Sequence, residues 1–188
     1  LFGRIQTGAT AGNPLWVWGV GSGLGTPGQI WFRFYFRTGA YPASKTRIFN
    51  VTGTGDTVQG ASMIIGATGI LSVRSATNVD TDMGTYVVPL NQWVRVEGRY
   101  QFNNATGNAD ARVWDNPNSS LAVTPSGQAQ PTAQNFGGTA MDTFKMGLIA
   151  STATRGPYDF DWVEINDVGF AGPYITPRAG RRSALNRR

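Results

Sequence analysis

The sequence predicts an all-β protein, an antiparallel two-sheet jelly-roll sandwich with extended termini. Three observations carry that expectation. Several stretches alternate apolar and polar side chains with a period of two, the spacing that sorts residues onto the two faces of a strand. Glycine and proline, 25 and 10 of the 188 residues, separate those stretches as turns do. No segment carries an apolar stripe at helical spacing with caps at its ends, and nothing alternates strand with helix.

The elements follow in order. Residues 1–28 read as a glycine-rich N-terminal arm, with glycines at 19, 21, 23 and 25. They lack the lysine and following helix that a phosphate loop needs. "IWFRFYFRT" then alternates cleanly, with Ile30, Phe32, Phe34 and Phe36 on one face and Trp31, Arg33, Tyr35 and Arg37 on the other. "RIFNVT", "ASMIIG" and "ILSVRS" follow, the last two joined by a "GATG" hairpin turn, and "TYVVP" is a short strand. In "NQWVRVEGRYQF" the inward set is Val94, Val96, Gly98, Tyr100 and Phe102, and the outward set is Trp93, Arg95, Glu97, Arg99 and Gln101. "ADARVWDN" returns after a turn with Arg112 and Trp114 outward. A polar, proline-punctuated loop follows, with one short strand at Leu121–Thr124. "DTFKMGLIAST" and "YDFDWVEINDVGF" close the sandwich, which spans residues 29–174. No repeat of 20–50 residues is visible.

Composition excludes several chemistries. The chain has no cysteine and no histidine, so disulfides, thiol nucleophiles and the Ser-His-Asp arrangement are ruled out. A bound metal would be a hard cation on oxygens: no cofactor is expected, Ca²⁺ apart, and for that the candidates are Asp80, Asp82 and Asp115. No apolar run approaches the ~18 residues of a membrane span, and no charged-then-apolar leader opens the sequence. The net charge of +5 is local. Residues 175–188 form a basic tail with Arg178, Arg181, Arg182, Arg187 and Arg188, and the rest of the chain balances 11 basic against 11 acidic residues. That tail is expected to contact neighbouring subunits rather than nucleic acid, because it has no interleaved aromatic residues.

Three stretches resemble the concanavalin A-like lectin/glucanase group, in its laminin-G-like branch. They are "LNQWVRVEGRYQF", "ADARVWDNP" and "FDWVEINDVGFAGPY", covering roughly residues 90–115 and 158–174. The resemblance implies a jelly roll in which Val163 and Ile165 face the core and Asp161 serves the start of the closing strand. "DFDWVE" is similar to the E-x-D-x-x-E motif of family-16-type glucanases, with Asp159 in place of the first glutamate. The catalytic alternatives are therefore Glu164 with Asp159, or Glu164 with Glu97, although Arg95 and Arg99 flank Glu97 and favour a surface salt-bridge ladder.

The expected function is a non-catalytic structural or adhesive module, not an enzyme. By resemblance to lectin-like domains of phage structural proteins, it is placed in a virion or on an extracellular surface. It is expected to act as a homo-oligomer or part of a larger assembly. The binding face would comprise Trp31, Arg33, Tyr35, Arg37, Trp93, Arg95, Arg99, Arg112, Trp114 and Trp162, a mixture suited to a protein neighbour or a glycan. The alternatives are a glycan-cleaving enzyme and a simple lectin.

Overall fold

The computed structural model describes residues 16–18, 26–53, 58–118, 124–138, 141–149 and 157–170. Eleven strands lie among them: β1 (Trp16–Trp18), β2 (Gln29–Thr38), β3 (Thr46–Gly53), β4 (Gln59–Ile65), β5 (Ile70–Arg74), β6 (Asp80–Val87), β7 (Val94–Gln101), β8 (Asn108–Trp114), β9 (Gly127–Ala129), β10 (Met141–Ile149) and β11 (Tyr158–Asn166). They form two antiparallel sheets, a six-stranded one in the order β1-β10-β3-β4-β5-β6 and a five-stranded one in the order β11-β2-β7-β8-β9. Among the described residues there is no helix, so none long and apolar enough to cross a membrane.

Alternation in β2 and β7 sets the interior. These strands pair in register, Phe32 opposite Gly98 and Phe34 opposite Val96, so their apolar faces coincide. Phe32 then meets Phe49 of the other sheet at a ring distance of 4.7 Å and Tyr100 at 4.9 Å. Phe36 and Phe160 add a further aromatic contact at 5.3 Å. Burying such rings is the main term holding the two sheets together, each worth roughly 2–3 kcal/mol of transfer energy. Gly98 makes room for this packing. A Cβ there would lie 2.1 Å from Cζ of Phe32, so the ring rests directly on the glycine backbone. The 66–69 turn needs glycine for a different reason: Gly69 has φ +81°, a left-handed conformation that a side chain would strain.

Four features differ from the sequence expectation. Residues 16–18, inside the stretch expected as an arm, form β1 and pair with β10. β6 begins at Asp80 rather than at Thr85, because Arg74 and Ser72 of β5 hydrogen-bond Asp80 and Asp82 across the pair. Polar pairs replace the apolar alternation that would have revealed it. The long loop contains β9, at Gly127–Ala129, and the strand expected at Leu121–Thr124 lies mostly outside the described residues. Finally, β11 is interrupted by a bulge between Asp161 and Glu164.

Candidate functional site

The outer face of the five-stranded sheet collects most of the polar residues singled out in the sequence. Antiparallel pairing lines them up in rows that cross the strands. One row runs Glu164, Arg33, Glu97, Arg112, Gln128 from β11 to β9. A second runs Asp161, Tyr35, Arg95, Trp114, and a third Asn166, Trp31, Arg99, Asp110. Asp159 stands opposite Arg37 at the end. Opposite charges therefore alternate along and across the sheet.

Most of these charges are matched. Arg33 bonds Glu164 at 2.7 Å, Arg95 lies 2.9 Å from Glu97, and Nε of Arg37 donates to Asp159 at 2.7 Å. Arg112 forks onto Asp110, with Nε 3.1 Å from one oxygen and Nη2 2.5 Å from the other, and Gln128 donates to the same carboxylate at 2.9 Å. Burial alone pushes the Asp110 carboxyl up, but the hydrogen bonds from Arg112 and Gln128 outweigh it and hold the group below its ordinary value.

The surface ladder expected around Glu97 exists, but it is not at the surface. Arg33, Tyr35, Arg95, Glu97 and Trp114 are all buried. The segment after β8 folds back over them, where the Pro117 carbonyl accepts from the Tyr35 hydroxyl at 3.3 Å and from Arg95 Nη1 at 3.0 Å. Arg95 also stacks 4.2 Å above the Trp114 ring. From the other side, the chain leaving β11 crosses the sheet and puts Phe170 4.6 Å from the Arg112 guanidinium. Thus Arg33, Tyr35, Arg95 and Trp114 support the face from beneath, whereas Trp31, Arg37, Trp93, Arg99, Arg112 and Trp162 remain half-exposed. Arg37 lies 5.2 Å over the Trp93 ring. The five tail arginines, Arg178, Arg181, Arg182, Arg187 and Arg188, lie outside the described residues.

The bulge in β11 changes which carboxylates meet. In a regular strand, residues 161 and 164 would point to opposite sides of the sheet. Here the inserted residue restores parity: Asp161 pairs with Tyr35 and Glu164 with Arg33, neighbouring positions on the outer face of β2. The two carboxylate-bearing positions are thus ~7 Å apart along one face. Trp162, held at φ +44° inside the bulge, turns onto Tyr35 with ring centroids 5.5 Å apart at 83°. Val163 and Ile165 still pack against the core, as the resemblance implies. Glu164 keeps 43% of its side chain exposed, and Asp161 is half-exposed with no cation beside it among the described residues. Neither carboxylate expected to accompany Glu164 is suited to the task. Asp159 is buried against Arg37, and Glu97 is buried beside Arg95.

Beyond the third row, at the outward positions that follow it on β2 and β7, a cleft of about 450 Å³ is lined by Pro27, Gly28, Gln29, Gln101 and Asp167. Gln101 is oriented by Asn108, whose amide donates to it at 3.1 Å. Alternation marks Gln29 and Gln101 as outward, but nothing local shows that a cleft forms there. No set of three or more acidic side chains stands ready for a metal among the described residues. Asp80 is held by Arg74 and Lys45, Asp82 by Ser72, and Asp115 by Ser126.

No protein-family model and no curated protein matches the chain. Solved structures do. A sialidase of Trypanosoma rangeli superposes with a TM-score of 0.55 at 11% identity, over 86% of this chain and 26% of that one. A heptameric SAP-like pentraxin from Limulus polyphemus gives 0.54 at 13% identity, over 86% and 74%. The alginate lyase A1-II′ of polysaccharide lyase family 7 gives 0.49 at 15% identity, over 76% and 63%. The chain therefore spans about a quarter of the sialidase's length. The shared fold is the concanavalin A-like jelly-roll sandwich. The expectation that the chain is not an enzyme is corrected: its structural neighbours include a sialidase. Its physical basis also weakens, because the lack of histidine excludes only histidine mechanisms and the bulge supplies a carboxylate pair.

Proposed function

We propose that this domain acts on a glycan, cleaving a glycosidic bond with Asp161 and Glu164. The observation that carries the reading is the bulge, which brings these two carboxylates onto one outer face at neighbouring register positions. Glycoside hydrolysis with two carboxylates uses one, charged at the outset, as the base for the attacking water or as the nucleophile, and the other as the acid that protonates the leaving oxygen. Glu164 has an arginine at 2.7 Å and Asp161 has none among the described residues, so Glu164 is assigned the charged role and Asp161 the proton-exchanging one. The half-exposed Trp162 and Trp31 flank the pair and offer apolar rings on which a sugar face can stack. The sialidase among the structural neighbours supports a glycan-directed role at the level of fold.

The test is release of reducing ends from a broad polysaccharide panel. Glu164→Gln and Asp161→Asn should each lower the rate at least ~100-fold, the range ascribed to a positioned acid or base. Asp82→Asn, on the opposite sheet, should not. Loss of activity in neither variant, or no cleavage of any polysaccharide, removes the hydrolytic reading.

The expected virion or cell-surface location and subunit partners rest mainly on the terminal stretches, most of which lie outside the described residues. An assembly of copies remains part of the proposal, supported by the heptameric pentraxin of the same fold. A monomer at all concentrations by sedimentation would remove it.

A further inference from the structure

One arginine on this face has no counter-charge. Arg33, Arg37, Arg95 and Arg112 each have a carboxylate, whereas Arg99 makes no ion pair or hydrogen bond among the described residues, and its Nε is enclosed without an acceptor. The cross-strand neighbour that could serve it, Asp110, is engaged on both oxygens by Arg112 and also by Gln128. Of the 11 acidic residues only Asp56 lies outside the described residues, and it falls between β3 and β4 of the opposite sheet. Nε itself is shut off, so an outside anion would meet the rest of this half-exposed guanidinium. The protein's own carboxylates do not neutralise it.

The surroundings indicate what would. Trp31 stands directly across from Arg99 and is half-exposed. The next outward positions on the same two strands are Gln29 and Gln101, which line the 450 Å³ cleft with Asp167. A cation and an aromatic residue thus hold the outward register positions between the two amides of the cleft and the row that holds Glu164.

We infer that the glycan is acidic and that Arg99 receives its carboxylate, with the sugar ring on Trp31 and its hydroxyls on Gln29 and Gln101. This rests on the glycan reading above and specifies its substrate class as a uronic-acid polymer. Guanidinium and carboxylate match as a two-pronged pair, which discriminates an acid from its neutral counterpart far better than stacking alone. Asp167, which also lines the cleft, accepts from a hydroxyl rather than meeting the acid group.

The experiment is titration of the intact chain with pectate, alginate and hyaluronan, each beside its carboxyl-reduced form, with neutral laminarin and a sulfated glycan for comparison. The acidic forms should bind at least about 10-fold more tightly than the reduced ones, the worth of one charge-assisted pair. Arg99→Gln should erase that difference, and Arg99→Lys should keep part of it, which separates loss of charge from loss of fold. Equal affinity for acidic and reduced forms, a preference that survives Arg99→Gln, or a preference for sulfate alone overturns the inference while the glycan reading stands. Binding to no glycan at all overturns both.

Discussion

The two sheets of this sandwich share one core yet finish their outer faces differently. On the six-stranded sheet several outward residues of the central strands are short. Ser62 donates to Asn50 at 2.6 Å and Ser72 to Asp82 at 2.6 Å, while longer side chains stand at Arg47, which donates to Asn78 at 3.2 Å, and at Arg74, on Asp80 at 2.6 Å. On the five-stranded sheet the same positions carry Arg, Glu and Trp, tied in rows from β11 to β8 and partly roofed by Pro117 and Phe170. Short hydroxyl and amide pairs seal a face without giving it relief. Long arginine–carboxylate pairs with interleaved rings leave ridges, a cleft and unmatched charge, which a ligand can use. Among the described residues, the second face gathers more of these features.

The largest expected break in that comparison is at Glu97. It is buried beside Arg95 and near Arg33, so Glu97→Ala leaves guanidinium charge uncompensated and should cost about 3–5 kcal/mol in chemical denaturation. The pair Arg95→Met with Glu97→Leu should recover most of that loss, because a buried ion pair replaced by apolar residues of similar size is often neutral. Failure of the double variant to recover would mean that the ladder supports the fold by more than mutual neutralisation. On the opposite face, Ser62→Ala removes one donor from buried Asn50 and should cost only about 1–2 kcal/mol by the same measurement.

Acid should weaken both faces, through one carboxylate each. Burial alone would raise the Asp80 carboxyl, but the hydrogen bonds from Arg74 and Lys45 win and hold it below its ordinary 3.8, as Arg112 and Gln128 do for Asp110. A group depressed on folding contributes stability above its unfolded pKa and loses it as pH falls through the folded one. Melting temperatures should therefore be flat above pH ~5 and fall below pH ~4, with Asp80→Asn and Asp110→Asn each flattening that limb. The smallest effect belongs to Lys45→Ala. Its side chain is 53% exposed where it meets Asp80, so the loss should stay within about 0.5 kcal/mol at moderate salt.

How much of this was readable beforehand depends on how local each feature is. The faces of β2 and β7 followed from period two, because side-chain direction in a strand is a property of the chain itself. Gly98 was assigned inward on the same grounds, but the Phe32 ring lying on it required the partner strand. The first half of β6 escaped because its pairing rests on Asp80 and Asp82 reaching β5, which no apolar pattern reveals. The carboxylate pair escaped for a sharper reason. Counting along β11 puts Asp161 and Glu164 on opposite faces, and only pairing with β2 shows where the chain inserts a residue. The face itself was expected to be open, yet a carbonyl from Pro117 and a ring from Phe170 cover its centre and leave the edge near Trp31 and Arg99 accessible.

Amino-acid order alone determined the class of this protein: alternating strands, glycine turns, an aromatic interior and the absence of histidine and thiol chemistry. Those are statements about neighbours a few residues apart, which backbone geometry translates directly. Tertiary structure decided which carboxylates stand together, which arginine lacks an anion and which part of the face is roofed. Each of these depends on residues far apart in the chain meeting across strands, where register, bulges and loop coverage decide the outcome.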